Sequence, residues 1–429
     1  MKPRAVSRLF WSVLKKPPVY DSANAIRSMT YMKALLISMG YFSDTINYTA
    51  TIDTSDKEDG KFPTTVNFNV TPGLQTHIDS FSYNLKIPEL QTLAVSTQKA
   101  ALVKKGDPFA KTAISLELDR LVELYRNNGY MRFSREELIG LWDTLDISFL
   151  EPSFDPLQQL DLLQRLKERR ENPTANLEIT LRPGLDSSKL RKFYVGQVTV
   201  YPDISFDTTG VTPTITYVNG VKVVSYRNIF KPRIFPQNLY FFHDALYDQR
   251  NYFKTINRFN SLGAWRQVNI EQSPRGDVDT ADFTIRLIPS KKYSFVANIE
   301  GSRNQNAISG NLFGIAINVG LQNRNFGRAA NQANTNIRYG IETGRDTATS
   351  VKFIQSRQLS FSHVIYFPRA IPSFRWMSLA VRNSFRTVLS LNASTTDRRE
   401  LYNLNNANVS CSRKYADIFF ARLRWSPFS

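Results

Sequence analysis

The segment FGIAINVGL at residues 313–321 carries the deciding pattern: Phe313, Ile315, Ile317, Val319 and Leu321 are large and apolar, and Gly314, Ala316, Asn318 and Gly320 lie between them. A period of two puts alternate side chains on opposite faces, which is a strand and not a helix. Outward from it, Tyr293, Phe295, Ala297 and Ile299 alternate with Ser294, Asn298 and Glu300. Ile337, Tyr339 and Ile341 alternate in the same way with Asn336, Arg338 and Glu342. A soluble sandwich also alternates, but it rarely sets Arg, Glu and Asn opposite long apolar faces. Lipid outside and water inside accounts for both faces at once. Five or six such strands are expected after Lys291.

The composition agrees with strands as the only route into a membrane. No run of about 18 apolar residues occurs, so a spanning helix is excluded. At 429 residues the chain exceeds one ordinary domain, and 42% hydrophobic with 21% charged residues are globular values. Residues 291–429 hold 19 Lys+Arg against 6 Asp+Glu, so the net charge of +18 is concentrated at that end. These cations are mostly single arginines on strand-like segments, which suits an anionic lipid surface or a polar lumen and argues against nucleic acid as a partner. Cys411 is the one cysteine, so no internal disulfide and no cysteine-based zinc site is expected. The opening 21 residues carry basic groups, but the apolar core from Leu9 to Leu14 is too short for a signal segment, and no export signal is expected there.

Upstream of the strands a theme repeats: an amphipathic helix, a glycine-aromatic stop, and then a strand pair. The first helix opens near Ser22, carries Ile26, Met29, Met32, Leu35, Leu36 and Met39 on one stripe, and stops at Gly40-Tyr41-Phe42. Strands at residues 46–54 and 64–70 follow, joined across Asp59-Gly60. The second helix places Ile114, Leu118, Leu121, Val122 and Tyr125 at helical spacing and ends at Gly129-Tyr130. Its closing strand at 177–181 runs into Pro183-Gly184, as residues 66–70 run into Pro72-Gly73. An insertion at 143–175 is expected to hold a helix over 157–170. The third unit opens with a strand at 194–201, continues through a helix over 247–259 to Leu262-Gly263-Ala264-Trp265, and closes with strands at 268–270 and 283–288. Two acidic groups, Asp53, Asp56, Glu58 and Asp59 and then Asp277, Asp279 and Asp282, look metal-like, yet they fall in hairpin turns and lack ligand spacing.

Gly106-Asp107-Pro108-Phe109, Leu124-Tyr125-Arg126-Asn127-Asn128-Gly129-Tyr130 and the Pro-Gly strand ends together resemble the POTRA domains of the BamA/TamA superfamily. Residues 321–328, LQNRNFGR, and 364–369, VIYFPR, resemble early and later segments of that superfamily's bacterial surface antigen type β-barrel, and the inserted second unit is most similar to the TamL-like branch. The resemblance implies α+β POTRA repeats (β-α-α-β-β) followed by an incomplete antiparallel transmembrane β-barrel. It divides the chain into a partial POTRA-like unit at 1–73, a unit at 74–190, a unit at 191–289, barrel strands at 290–410 and an atypical tail at 411–429. It implies an outer-membrane assembly or translocation factor with periplasmic POTRA units. Unfolded barrel clients would add as strands to POTRA edges, here Val195, Val198 and Val200. The first barrel strand, with Tyr293, Phe295, Ala297 and Ile299, would form the lateral seam that templates a client, and Phe313, Ile315, Ile317, Val319 and Leu321 would face the outer-membrane lipid. A periplasm-spanning partner protein is a further implied partner.

Other classes fit less well. The chain lacks G-x-S-x-G, H-E-x-x-H and G-x-G-x-x-G, and His77, His243 and His363 stand far apart, so neither enzymatic activity nor a cofactor is expected. A passive porin or adhesin would not need the repeats. A two-partner-type secretion pore exporting a polypeptide and a non-functional truncated paralogue remain open alternatives.

Overall fold

The computed structural model describes residues 20–53, 62, 64–143, 171–204, 210–276, 278–306, 310–344, 354–372, 374, 377–398 and 402–415. Expectations for the opening segment with Leu9–Leu14, the Asp59-Gly60 turn, the helix over 157–170, Asp277 and residues 416–429 lie outside them. The chain divides into two units: one holds residues up to 126 and 132–190, the other residues 127–131 and 191 onward.

In the first unit, helix α1 (Ser22–Ser38) starts where the Asp21 carboxylate accepts the Ala23 N–H at 2.9 Å, satisfying one of the donors every helix start leaves open. It stops before Gly40, whose φ of +90° belongs to the left-handed region. A side chain there would also collide, since a Cβ on Gly40 would sit 2.8 Å from the Phe109 carbonyl oxygen. The expected apolar stripe is only partly covered: Met29, Met32 and Leu36 are half-buried, whereas Ile26, Leu35 and Met39 are exposed. Strands β1 (Thr45–Ile52) and β2 (Thr64–Thr71) pair antiparallel, with Ile46 opposite Val70.

The rest of that unit is a complete β-α-α-β-β arrangement. Strand β3 (His77–Asn84) leads into α2 (Pro88–Ser96) and α3 (Lys111–Arg126), and then into β4 (Leu138–Asp143) and β5 (Thr174–Leu181). The sheet order is β3-β5-β4, with β3 parallel and β4 antiparallel to β5. The periodicity of α3 is borne out by burial, for Leu118, Leu121 and Tyr125 face the core. Tyr125 meets the ring of Phe133 edge-on at 4.9 Å. Glu117 on the same helix is fully buried and satisfied: it accepts from Tyr83 Oη at 2.6 Å, from the Leu102 N–H at 2.8 Å and from Arg120 at 2.7 Å. Burial and this carboxylate push the Tyr83 phenol well above its ordinary pKa.

The second unit begins with β6 (Tyr194–Tyr201) and a hairpin of β7 (Thr214–Val218) and β8 (Val221–Ser225). Helix α4 (Gln249–Ser261), β9 (Trp265–Pro274) and β10 (Thr280–Pro289) follow, giving the sheet order β7-β8-β6-β10-β9. The β7–β8 hairpin was not expected from the sequence, although its turn, Asn219-Gly220 with both φ values positive, is the residue pair that two-residue hairpins favour. Beyond it runs a six-stranded antiparallel meander: β11 (Tyr293–Asn306), β12 (Gly310–Phe326), β13 (Asn331–Gly344), β14 (Ile354–Phe367), β15 (Phe385–Arg398) and β16 (Tyr402–Tyr415). A short helix, α5 (Leu379–Asn383), precedes β15. The expected strand count is met by six, and the last strand runs through Cys411 to Tyr415, past the expected boundary at 410. From Cys411 to Tyr415 the residues are Cys, Ser, Arg, Lys and Tyr, whose adjacent cations break the apolar-polar alternation, so the sequence reads there as a tail. None of the described helices is long and apolar enough to cross a membrane.

Candidate functional site

Register turns separate apolar residues into one continuous face. Phe295 pairs with Leu321, Ala297 with Val319 and Ile299 with Ile317. Val319 then pairs with Ile337, Ile337 with Phe361, Phe361 with Ala393, and Ala393 with Ala407. Directly opposed residues on paired strands point to the same side, so one apolar band crosses all six strands. Its members are exposed: Phe295 67%, Ile299 80%, Phe313 56%, Ile315 58% and Ile317 50%. A patch of this extent is far larger than a soluble surface carries without a partner. The strands are also long. At 14 to 17 residues each they exceed the 9 to 11 or so that suffice to cross a bilayer.

The opposite face is polar. Arg338 Nε stands 3.3 Å from Glu300 Oε2, and Arg338 Nη1 donates to Gln358 Oε1 at 2.9 Å. Small residues lie beneath these long side chains, with Ala316 buried and Gly314 beside it. Thus the residues that the sequence assigned to lipid share one exposed apolar face, and Tyr293, Phe295, Ala297 and Ile299 lie on β11, which among the described residues has a partner on one side only. The other edge is β16.

The assignment of the POTRA edge to Val195, Val198 and Val200 is incorrect. These residues lie on β6, which is hydrogen-bonded to β8 on one side and β10 on the other, and all three are buried. The inserted β7–β8 hairpin covers the edge that β6 would otherwise present. The edges of that sheet are β7 and β9, and β7 exposes Ile215 and Tyr217. In the three-stranded sheet of the first unit the edges, among the described residues, are β3 and β4, and β4 exposes Leu141 and Trp142; the Trp142 ring stacks on Phe42 at 5.2 Å.

Of the acidic residues that look metal-like, Asp279 and Asp282 stand beside arginines, and Asp56, Glu58, Asp59 and Asp277 lie outside the described residues. Asp282 sits at a bulge in β10, accepts the Gln197 N–H at 2.7 Å and pairs with Arg275 at 2.7 Å. The Arg275 guanidinium, more than offsetting burial, holds its carboxyl below the usual aspartate range. Asp279 lies 3.8 Å from Arg191. Among the described residues no three or more His, Cys, Asp and Glu form a metal-binding cluster.

Sequence reasoning missed the join between the third POTRA-like sheet and the meander. Arg258, in the last turn of α4, is 6% exposed. Its Nε donates to Asn238 Oδ1 at 2.8 Å, its Nη1 to the Asn383 carbonyl at 3.3 Å, and its Nη2 to the Pro368 carbonyl. Asn383 Nδ2 in turn donates to the Gln237 carbonyl at 2.8 Å. At a second turn, Asn325 Nδ2 donates to the Ile229 carbonyl at 3.0 Å and Gln332 Nε2 to that of Leu262, also at 3.0 Å. An arginine at the end of an amphipathic helix reads in sequence as a solvated C-terminal charge, and only tertiary structure shows it buried.

No family model matches the chain, and no curated protein matches it. Among solved structures it is similar to BamA from Haemophilus ducreyi lacking POTRA domains 1–3, at 12% identity and a TM-score of 0.37, over 82% of this chain and 61% of that one. It is similar to POTRA3–5 of BamA from Haemophilus influenzae at 13% identity and a TM-score of 0.30, over 66% of this chain and 92% of that one. It is also similar to CdiB from Acinetobacter baumannii at 7% identity and a TM-score of 0.31, over 92% of this chain and 68% of that one. The chain therefore spans about three fifths of the length of the first of these.

Proposed function

We propose that this chain acts in the outer membrane of a bacterium as an assembly or translocation factor, with its POTRA units in the periplasm and its six-stranded sheet in the bilayer. One observation carries the reading: a single chain joins a β-α-α-β-β unit to a meander whose apolar face is exposed across every strand while its other face is polar. A lipid-facing sheet explains that exposure, and strand-rich units with open edges explain what the rest of the chain is for. An unfolded barrel precursor can add to an open edge through backbone hydrogen bonds, with no fixed side-chain code. The exposed edges β7 and β4 are the receiving sites in this reading, and β11 is the strand that templates the client in the membrane. The inserted segment at 143–175 aligns the chain with the TamL-like branch.

The test uses photo-crosslinking amino acids placed singly at Val296 on β11, Thr216 on β7 and Asn336 on the interior strand β13 of the full chain in cells. Adducts with nascent outer-membrane barrel proteins are expected at the first two positions and not at the third. Equal labelling at all three, or none at β11 and β7, overturns the reading.

A further inference from the structure

The two rims of the meander differ in charge. At the rim where β10 leads into β11, the described residues of 291–294, 322–333, 364–387 and 411–415 include nine Lys and Arg and no Asp or Glu. Register brings these segments to one end of all six strands: Tyr293 pairs with Asn323, Phe326 with Asn331, Gln332 with Tyr366, Phe367 with Thr387 and Phe385 with Tyr415. At the far rim, the described residues of 302–314, 341–357 and 395–404 include Arg303, Arg357 and Arg398 beside Glu342 and Asp397, and Arg357 stands directly opposite Asp397. The cations of the last third of the chain are therefore gathered at the rim that joins the third POTRA-like sheet, whereas those of the far rim are offset by acids.

Six of the nine, Lys291, Lys292, Arg328, Arg386, Arg413 and Lys414, are exposed. Arg413 continues the row of Phe367 and Thr387 on the apolar face, and Lys292 Nζ stands 5.0 Å over the exposed ring of Tyr293 on that same face. Arg386 and Lys414 oppose each other directly across β15 and β16, an arrangement that costs stability unless negative charge comes close. The long stems of lysine and arginine let charged heads from both faces reach the level where the apolar band ends. An anionic headgroup layer supplies the missing negative charge there, and attracts cations within about a Debye length of its surface. An acidic polypeptide would meet the charge as well. The rim, however, also exposes Tyr293 and Phe326 at the margin of the apolar band, where membrane barrels carry an aromatic girdle beside the headgroups. We propose that this rim is a binding surface for the headgroups of anionic phospholipids, which sets a negatively charged leaflet on the POTRA side of the sheet. The inference rests on the membrane reading above.

In the experiment the full chain, diluted from neutral detergent, is floated with vesicles of phosphatidylcholine alone or of phosphatidylcholine mixed with phosphatidylglycerol. Stronger flotation with the mixed vesicles is expected, falling to the phosphatidylcholine level at about 1 M salt, where the screening length is only about 3 Å. Lys291→Gln with Lys292→Gln, and separately Arg386→Gln with Lys414→Gln, should each lower the preference for phosphatidylglycerol by about tenfold or more, the scale of two cations leaving an anionic surface. Arg303→Gln with Arg357→Gln removes the same charge from the far rim and should change that preference by less than about threefold, since cations more than a Debye length from the surface are screened from it. Unchanged flotation with phosphatidylcholine alone separates lost headgroup binding from lost folding in each variant. A parent chain that floats equally with both vesicles, or a preference that the near-rim pairs keep or that the far-rim pair loses equally, overturns the inference and leaves the membrane reading standing. Binding of polyglutamate without a preference for phosphatidylglycerol overturns it in favour of an acidic polypeptide. Flotation with neither vesicle overturns the inference and the membrane reading together.

Discussion

Glu300 Oε2 and Arg338 Nε meet at 3.3 Å although β12 lies between their strands. They can do so because the residues they bridge over, Ala316 opposite Glu300 and Asn318 opposite Arg338, are short. Both partners keep over a third of their side chains exposed, so the pair contributes at most about 1 kcal/mol. Its value lies in marking the polar face, while Ile317, between Ala316 and Asn318 in sequence, marks the other.

That contrast gives the first prediction. Ile317→Arg should destabilise the chain in phospholipid vesicles by about 2–4 kcal/mol, the cost of a cation on the lipid side of a strand near mid-membrane. Ser302→Arg, on the polar face beside Glu300, should change it by less than about 1 kcal/mol. Denaturant titration in vesicles reads both, and equal costs would show that the two faces share one environment.

The buried carboxylate of the second POTRA-like unit gives another. Glu117→Ala strands the Tyr83 hydroxyl, the Leu102 N–H and the Arg120 guanidinium in the interior. Breaking a buried pair in this way costs about 3–5 kcal/mol, whereas Tyr83→Phe removes the hydrogen bonds to Glu117 and from Arg120 at about 1 kcal/mol each. Hydrogen exchange of α3 amides in the full chain should lose protection in that order. Equal loss in the two variants would mean that Glu117 is not the hub.

At Asp282 the sign of a pH effect is fixed by geometry. Its carboxyl titrates below the ordinary aspartate value in the folded chain, so its contribution is complete above that value and fades as pH falls through the folded one. Asp282→Asn should therefore flatten the acid limb of β10 stability, costing most at neutral pH and least at low pH, where the carboxyl is already protonated. Gly196→Ala should have a related effect, because a Cβ there would lie 2.5 Å from Asp282 Oδ1 and force the carboxylate off the Gln197 N–H. Amide exchange at Gln197 between pH 3 and 7 distinguishes these outcomes from an unchanged acid limb, which would assign the carboxylate no linkage.

Much of this architecture was legible because it depends on period. Phe313 to Leu321 declared a two-faced strand, and Leu118, Leu121 and Tyr125 a buried helix face, since both patterns are local. Edge and centre are not local properties. Val195, Val198 and Val200 look alike on an edge strand or a central one, and what decides the matter is a separate hairpin, β7–β8, turning at Asn219-Gly220 and docking on β6 through β8. Arg258 was illegible for a different reason. Its acceptors Pro368 and Asn383 lie 110 and 125 residues away, and no periodicity links them.

The last prediction concerns closure of the sheet. Among the described residues the meander has six strands, and both β11 and β16 have a neighbour on one side only. Bacterial barrels close with at least about eight strands, because strand number, tilt and stagger must agree for the ends to meet. Six strands in hydrocarbon leave two rows of backbone N–H and C=O groups without partners, and each such group costs several kcal/mol. A polypeptide of these 429 residues, given an added export signal, should thus fail to yield a monomeric membrane species that migrates faster unheated than boiled on a detergent gel. Appending further alternating strands, or pairing β11 of one copy with β16 of another, supplies the missing partners and should restore such a band, the second at a multiple of the chain mass. A heat-modifiable, protease-resistant monomer from the 429-residue chain alone would mean that the edges find partners within the chain itself.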